Sequence, residues 1–256
     1  MVTRKSREEI EKMRRAGRIV AEVLALVESE LRPGVSTGYL DRIAERYIRS
    51  AGAIPSFKGY HGFPASLCIS IDDEVVHGIP GDRIIREGQV VSVDAGAIVE
   101  GWHADAARTF YVGGEPPEPV RRLIETTRLA MLAGIAAAVP GNRVGDISAA
   151  VEDVAAPAGY GIVRQYVGHG IGTEMHQEPQ VPNYRTPARG IRLEPGICLA
   201  IEPMLTLGSH EVETKADGWT VVTRDGSLAA HFEHTIAITE EGPEILTTVG
   251  PGRLPG

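Results

Sequence analysis

Apolar side chains at Ile10, Met13, Ile19, Val20, Val23, Leu24 and Val27 recur at helical spacing, which predicts one long helix with a single buried face. Ser6-Arg7-Glu8-Glu9 is a capping box ahead of it, and Arg32-Pro33-Gly34 ends the run. A second helix is predicted from near Thr37, with Leu40, Ile43, Ala44, Tyr47 and Ile48 on one face, closing at Gly52. The same punctuation returns later. Pro119 to Ala138 reads as a long helix, Pro140-Gly141 breaks it, and Ile147 to Ala158 reads as a shorter helix closed by Gly159. Pro33, Gly34, Gly38, Glu45, Ala51 and Gly52 fall on identical residues at an offset of 107.

The repetition extends into β-type runs. Val90-Val91-Ser92-Val93-Asp94 lies over Cys198-Leu199-Ala200-Ile201-Glu202, so Asp94 matches Glu202. Ala104-Asp105-Ala106 lies over Phe232-Glu233-His234, so Asp105 matches Glu233. One duplication of this size predicts an α+β fold of two halves, about 6–112 and 119–248, facing across a pseudo-twofold axis. A central antiparallel sheet and outer helices are expected. The seam at Gly113–Pro119 is short, so residues 1–256 are expected to form a single domain with one shared core.

Composition narrows the classes. With 43% apolar and 23% charged residues the chain sits in the globular range. A net charge of −8 argues against a broad nucleic-acid-binding surface, and no nucleic-acid partner is expected. No apolar run approaches membrane-spanning length, and Met1–Ser6 lacks a signal core, so no membrane association is expected. Cys68 and Cys198 are too few for a disulfide framework and fit a reducing compartment, which makes the expected location cytoplasmic.

Asp94, Asp105, Glu202 and Glu233 each end or flank an apolar β-type run. Singly, each reads as a solvated strand-end residue. Repeated acid over acid, they read as four carboxylates converging on the axis, where they would raise one another's pKa unless cations balanced them. Two divalent ions of the Mn²⁺, Fe²⁺ or Co²⁺ kind suit such oxygen-rich ligation, and a pair of them implies hydrolysis. His169, in Gly168-His169-Gly170-Ile171-Gly172, is the best nitrogen ligand, or else a hydrogen-bonded histidine in a glycine-rich turn. His77 and His176 read either as neutral donors and proton carriers or as loop histidines on the surface. His210-Glu211-Val212-Glu213-Thr214 lacks the second histidine of a zinc helix and reads as loop. No Gly-x-Ser-x-Gly elbow or Walker phosphate loop is present. Cys68, after the aromatic stretch from Gly59 to Leu67, suits a polarizable pocket for a methionine side chain or plain core.

Together these segments, from about Ser6 to Thr248, resemble the bacterial-type type I methionine aminopeptidases. The resemblance implies a pita-bread fold and release of the initiator methionine from nascent polypeptides, preferably before a small second residue. It implies five ligands to two ions: Asp105 and Glu233 bridging, His169 and Glu202 completing one ion, Asp94 holding the other. Glu202 would also take a proton from the attacking water, His77 would contact the substrate near the scissile amide, and His176 would stabilise the developing oxyanion. Tyr60, Phe63, Cys68, Met175 and Trp219 would form the methionine pocket. Phe63 and Met175 depart from the commoner tyrosine and phenylalanine. A monomer is expected, and ribosome contact is left open. Two rivals stand beside this reading. One is a proline-directed relative such as prolidase or aminopeptidase P, whose usual preceding domain would not fit in 256 residues. The other is a non-catalytic interaction module of the same fold, which the five retained ligand positions disfavour.

Overall fold

The capping box forms as expected. In the computed structural model, which describes residues 2–252, Glu9 N–H donates to Ser6 Oγ (3.3 Å) and Ser6 N–H to Glu9 Oε2 (2.7 Å), starting α1 at Arg7–Glu30. Ser36 caps α2, Thr37–Ser50, by accepting from Tyr39 N–H (3.1 Å). The second pair is α3, Glu118–Ala137, and α4, Val144–Ala155. α4 begins three residues before the expected Ile147. Asp146 reaches back to accept from Arg143 N–H (2.8 Å), and Gly145 lets the backbone at Arg189 approach closely instead of breaking the helix.

The first half contributes β1 (Ile54–Pro55), β2 (Leu67–Ile71), β3 (Glu74–Val76), β4 (Val90–Val99) and β5 (Trp102–Tyr111). The second contributes β6 (Gly161–Ile162), β7 (Gly168–Gly170), β8 (Gln177–Val181), β9 (Cys198–Ile201) and β10 (Met204–Thr206). It continues with β11 (Val212–Thr214), β12 (Val221–Thr223), β13 (Ala229–His231), β14 (His234–Thr239) and β15 (Gly242–Ile245). All pairings are antiparallel, but the strands sort into four hydrogen-bonded groups instead of one continuous sheet. The larger two follow the orders β1-β4-β2, with β5 on β4, and β15-β14-β9-β7-β8. Two reciprocal backbone bonds stitch them together, Ala107 N–H to Glu233 O (3.3 Å) and Glu233 N–H to Ala107 O (3.0 Å). β3 of the first half also pairs with β12 of the second.

The strands differ from the sequence expectation in further places. Asp94 and Asp105 lie inside β4 and β5, because β2 and β5 pair with β4 on either side and carry the strand through Ala95-Gly96-Ala97 into a long hairpin turned at Glu100-Gly101. Both turn residues have positive φ, as a tight two-residue hairpin requires. Val212–Thr214, read as loop, is β11, a strand too short for its alternation to register.

Strand alternation then decides which side chains face the helices. Leu67, Ile69, Ile71, Val91, Val93 and Ala95 pack with Val20, Leu24, Leu40 and Ile48, which sends Cys68, Ser92 and Asp94 to the opposite face. In the second half Leu199, Ile201, Ile236 and Ile238 pack with Met131, Ile135 and Ile147, leaving Glu202 and Glu233 on the side away from the helices. Each half therefore has its own principal apolar cluster. α1 joins them, since its Ile10 and Met13 pack on Ile171, Cys198, Ala237 and Leu246. Among the described residues, no helix is long and apolar enough to cross a membrane.

Candidate metal centre

The two acid-bearing faces meet at the seam between β5 and β14. Asp94, Asp105, His169, Glu202 and Glu233 all line one cavity of about 410 Å³. Asp105, His169 and Glu233 form its tightest group, offering one ligand atom each within 4.8 Å of one another. Glu202 joins through His169, whose Nε2 lies 3.3 Å from Glu202 Oε1 and 3.7 Å from Asp105 Oδ2. Asp94 comes from the neighbouring strand, directly across from Cys68 on one side and Ala107 on the other.

Local structure fixes each ligand's direction. His169 Nδ1 pairs with Gly170 O (3.0 Å), so with the proton there Nε2 presents its lone pair to the carboxylates. Asp105 N–H donates to Thr235 Oγ1 (3.0 Å), and that hydroxyl lies 2.9 Å from Asp105 Oδ1, tying the first half's acid to the second half's strand. Gly96 stands opposite Asp105, where a Cβ would come within 2.8 Å of Phe57 and Ser56.

The electrostatics are those of several acids crowded into a buried cavity. Burial, then Asp105, holds the Asp94 carboxyl well above the ordinary range. Burial does the same to Glu202 and Glu233, with Asp105 the next cause for each. Burial lifts Asp105 to about 6. His169 is pushed down to about 4 by burial, which keeps it a neutral ligand. Asp94 Oδ1 is enclosed without a hydrogen-bond partner among the described residues. Acids this deep persist when paired or ion-bound, and no lysine or arginine lies among the cavity's lining residues. Three carboxylates and an imidazole around an orphaned carboxylate oxygen fit a divalent cation.

An apolar pocket adjoins these acids. Phe57, Phe63, Ala65, Cys68 and Met175 cluster with Tyr60, Ile79 and Trp219. Phe63 and Trp219 meet edge to face at 5.1 Å. Burial and nearby Asp94 hold the Cys68 thiol well above its ordinary pKa, so it serves as a soft apolar wall. His77 and His176 border the same cavity, and burial lowers each to about 4. His176 Nδ1 lies 2.8 Å from the Tyr60 hydroxyl, and its ring is 4.3 Å from that of His169. A polar groove of about 800 Å³ leads away past His77, His176 and Glu202 toward Gln165, Glu174 and Gln180.

Every ligand, catalytic and pocket residue expected from the sequence therefore lies on this one cavity. Phe57, Ile79 and His231 were not singled out. Phe57 and Ile79 stand beside segments that were, but a lone apolar residue in a loop carries no periodic signal. His231 sits two positions before Glu233, 1% exposed, with burial and then His77 pushing it down to about 3.

Residues 11–240 match the profile of metallopeptidase family M24, most of the chain. The chain belongs to metallopeptidase family M24. The M24 chain is 54% identical over 248 residues to a methionine aminopeptidase of Clostridium acetobutylicum, covering 96% of this chain and 99% of that one. The crystal structure of a methionine aminopeptidase from Thermotoga maritima superposes with a TM-score of 0.94 at 44% identity, over 97% of this chain and 100% of the other. A prolidase from Pyrococcus furiosus shares the fold more distantly, with a TM-score of 0.78 and 25% identity over 96% of this chain and 66% of its own. The fold is the pita-bread fold of the M24 enzymes, as the resemblance implied, and this M24 site is one for divalent metal.

Proposed function

We propose that this M24 chain is a methionine aminopeptidase that uses two divalent ions, Mn²⁺, Fe²⁺ or Co²⁺, to remove N-terminal methionine from nascent polypeptides. One observation carries the reading: four converging carboxylates and His169 share a cavity with an apolar, sulfur-lined pocket. Asp105 and Glu233 would bridge the ions, His169 and Glu202 would complete one, and Asp94, with its orphaned oxygen, would hold the other. When bound, such a pair supplies a water acidified to near-neutral pKa and positive charge for the tetrahedral intermediate.

The protein's own groups do the rest. The pocket of Tyr60, Phe63, Cys68, Met175 and Trp219 takes the thioether and leaves the following residues to the polar groove. Glu202 accepts a proton from the attacking water. With the Tyr60 hydroxyl donating to His176 Nδ1, Nε2 carries the proton and donates to the scissile carbonyl oxygen as it gains charge. His77 stands across the cavity, 6.5 Å from Trp219 between ring centroids, to position the amide. The setting proposed is a cytoplasmic monomer, working on emerging chains at or near the ribosome.

The test is a peptide assay. Protein loaded with Mn²⁺, Fe²⁺ or Co²⁺ should release methionine from Met-Ala-Ser, lose that activity on chelation and leave Ala-Pro-Ser intact. Full activity after complete removal of metal, or faster cleavage of the prolyl peptide, would overturn the reading.

A further inference from the structure

Among the described residues, one polar side chain beside Glu202 has no hydrogen-bond partner. His231 ends β13 and is 1% exposed, and its Nε2 is enclosed with no hydrogen bond. Buried imidazole nitrogens are ordinarily satisfied, so an orphan invites a specific cause. The nearest acid is Glu202, whose Oε2 lies 3.6 Å from His231 Nε2, just beyond hydrogen-bond reach. The other oxygen of the same carboxylate, Oε1, faces His169 at 3.3 Å. Glu202 is thus held between two imidazoles, one per oxygen.

His231 is not free to drift from this position. Its N–H donates to Thr109 Oγ1 (2.8 Å), and that hydroxyl donates back to His231 O (2.7 Å). Thr109 belongs to β5 of the first half and contacts Ser92 Oγ of β4 at 2.9 Å. On its own side His231 is registered against Met204 of β10. Backbone pinned from both halves, with a side chain aimed at the proposed base, is the arrangement of a group that orients another.

We propose that His231 is a positioning residue for Glu202: in the ion-loaded site its Nε2–H donates to Glu202 Oε2 and fixes the carboxylate with Oε1 toward His169 and the attacking water. The gap that this bond must close is small, 3.6 Å between Nε2 and Oε2 against the roughly 2.7–3.2 Å of a hydrogen bond. The inference rests on the role of Glu202 proposed above. Groups that orient metal ligands in this way are typically worth about 10–100-fold in affinity or rate.

The test compares His231→Leu and His231→Met, which remove the donor, with His231→Gln, which restores one. Calorimetric titration of Mn²⁺ into the ion-free protein and steady-state kinetics on Met-Ala-Ser are both read, with melting temperature as the control for packing. The two apolar variants should bind Mn²⁺ about tenfold or more weakly and lose kcat by a similar factor at nearly unchanged KM. Glutamine should recover both to within about threefold. In a Glu202→Gln background the leucine change should leave Mn²⁺ affinity nearly unaltered, because a positioning effect vanishes with the group positioned. Two apolar variants guard against one failing to fold. Wild-type affinity and kcat in the apolar variants, or a glutamine variant no better than leucine, would overturn the proposal. If wild-type protein bound Mn²⁺ without cleaving methionyl peptides, the proposed activity alone would fall, and the affinity ratios would still decide the role of His231.

Discussion

The two halves present the same pair of acids on different chain paths. In the first half Asp94 and Asp105 ride on adjacent strands of one hairpin, β4 and β5, closed by Glu100-Gly101. In the second half Glu202 follows β9 at once by Pro203, and the chain makes a long excursion through β10 to β13 before returning at Glu233. The backbone bonds between Ala107 and Glu233, the Thr235–Asp105 contacts and the Thr109–His231 pair keep the two paths in step at the seam. Meeting at the axis constrains where the acids emerge, and it leaves the intervening chain free. The first half spends that chain on a minimal turn. The second half uses it to build a wall, from which Trp219 reaches the cavity and His231 approaches Glu202 from behind.

The contrast between the acids at the axis and the excursion is sharpest in what each loses by mutation. Glu202→Gln removes a proposed ligand and the proposed base together, so kcat on Met-Ala-Ser should fall by about 10³-fold or more with little change in KM. An equal loss from Glu8→Gln, on the exposed face of α1, would show that the effect is not confined to the site. The excursion's contribution should appear as binding instead. Trp219→Ala opens the pocket wall that Phe63 meets edge to face, and KM should rise about tenfold, ~1.4 kcal/mol, with kcat less affected. A kcat loss as large as that of Glu202→Gln would instead place the excursion within the chemistry.

The smallest effect is a pH dependence of the ion-free protein. Asp94, Glu202 and Glu233 hold protons in the fold well above their ordinary range and release them on unfolding at neutral pH. The unfolded chain then binds fewer protons, so stability falls as pH rises. The buried histidines, held at about 4, act in the opposite sense below their ordinary value near 6.5, because there the unfolded chain binds more. Asp105, raised to about 6, contributes its loss within that lower window. Above pH 6.5 the other three carboxyls dominate. The melting temperature of chelated protein should therefore fall as pH rises above 6.5, and Mn²⁺ should largely abolish the fall. Identical curves with and without Mn²⁺ would mean that the acids are not neutralised by ions.

Much of this was legible in the chain itself, for a physical reason. Duplicated halves repeat their punctuation, so Pro33-Gly34 and Pro140-Gly141 marked equivalent helix ends, and acid over acid marked equivalent faces. The cap at Ser6 was equally readable, because capping is local. What escaped depends on contacts distant in sequence. Whether Asp94 ends a strand or sits inside one is decided by β2 and β5 on either side of β4, not by Ala95-Gly96-Ala97. Val212–Thr214 is a strand through its partner Val221–Thr223, and three residues show no period alone. His231 looked like any histidine near an acid; only the enclosed Nε2 and the approach of Glu202 from another strand distinguish it.

Anomalous diffraction from crystals of the protein grown with Mn²⁺ would test directly whether acids from both halves share common ions. Two peaks are expected inside the cavity, each contacted by Asp105 and Glu233, with Asp94 on one and His169 and Glu202 on the other. Manganese held by carboxylates of one half alone, or absent from the cavity while bound elsewhere on the surface, would contradict it.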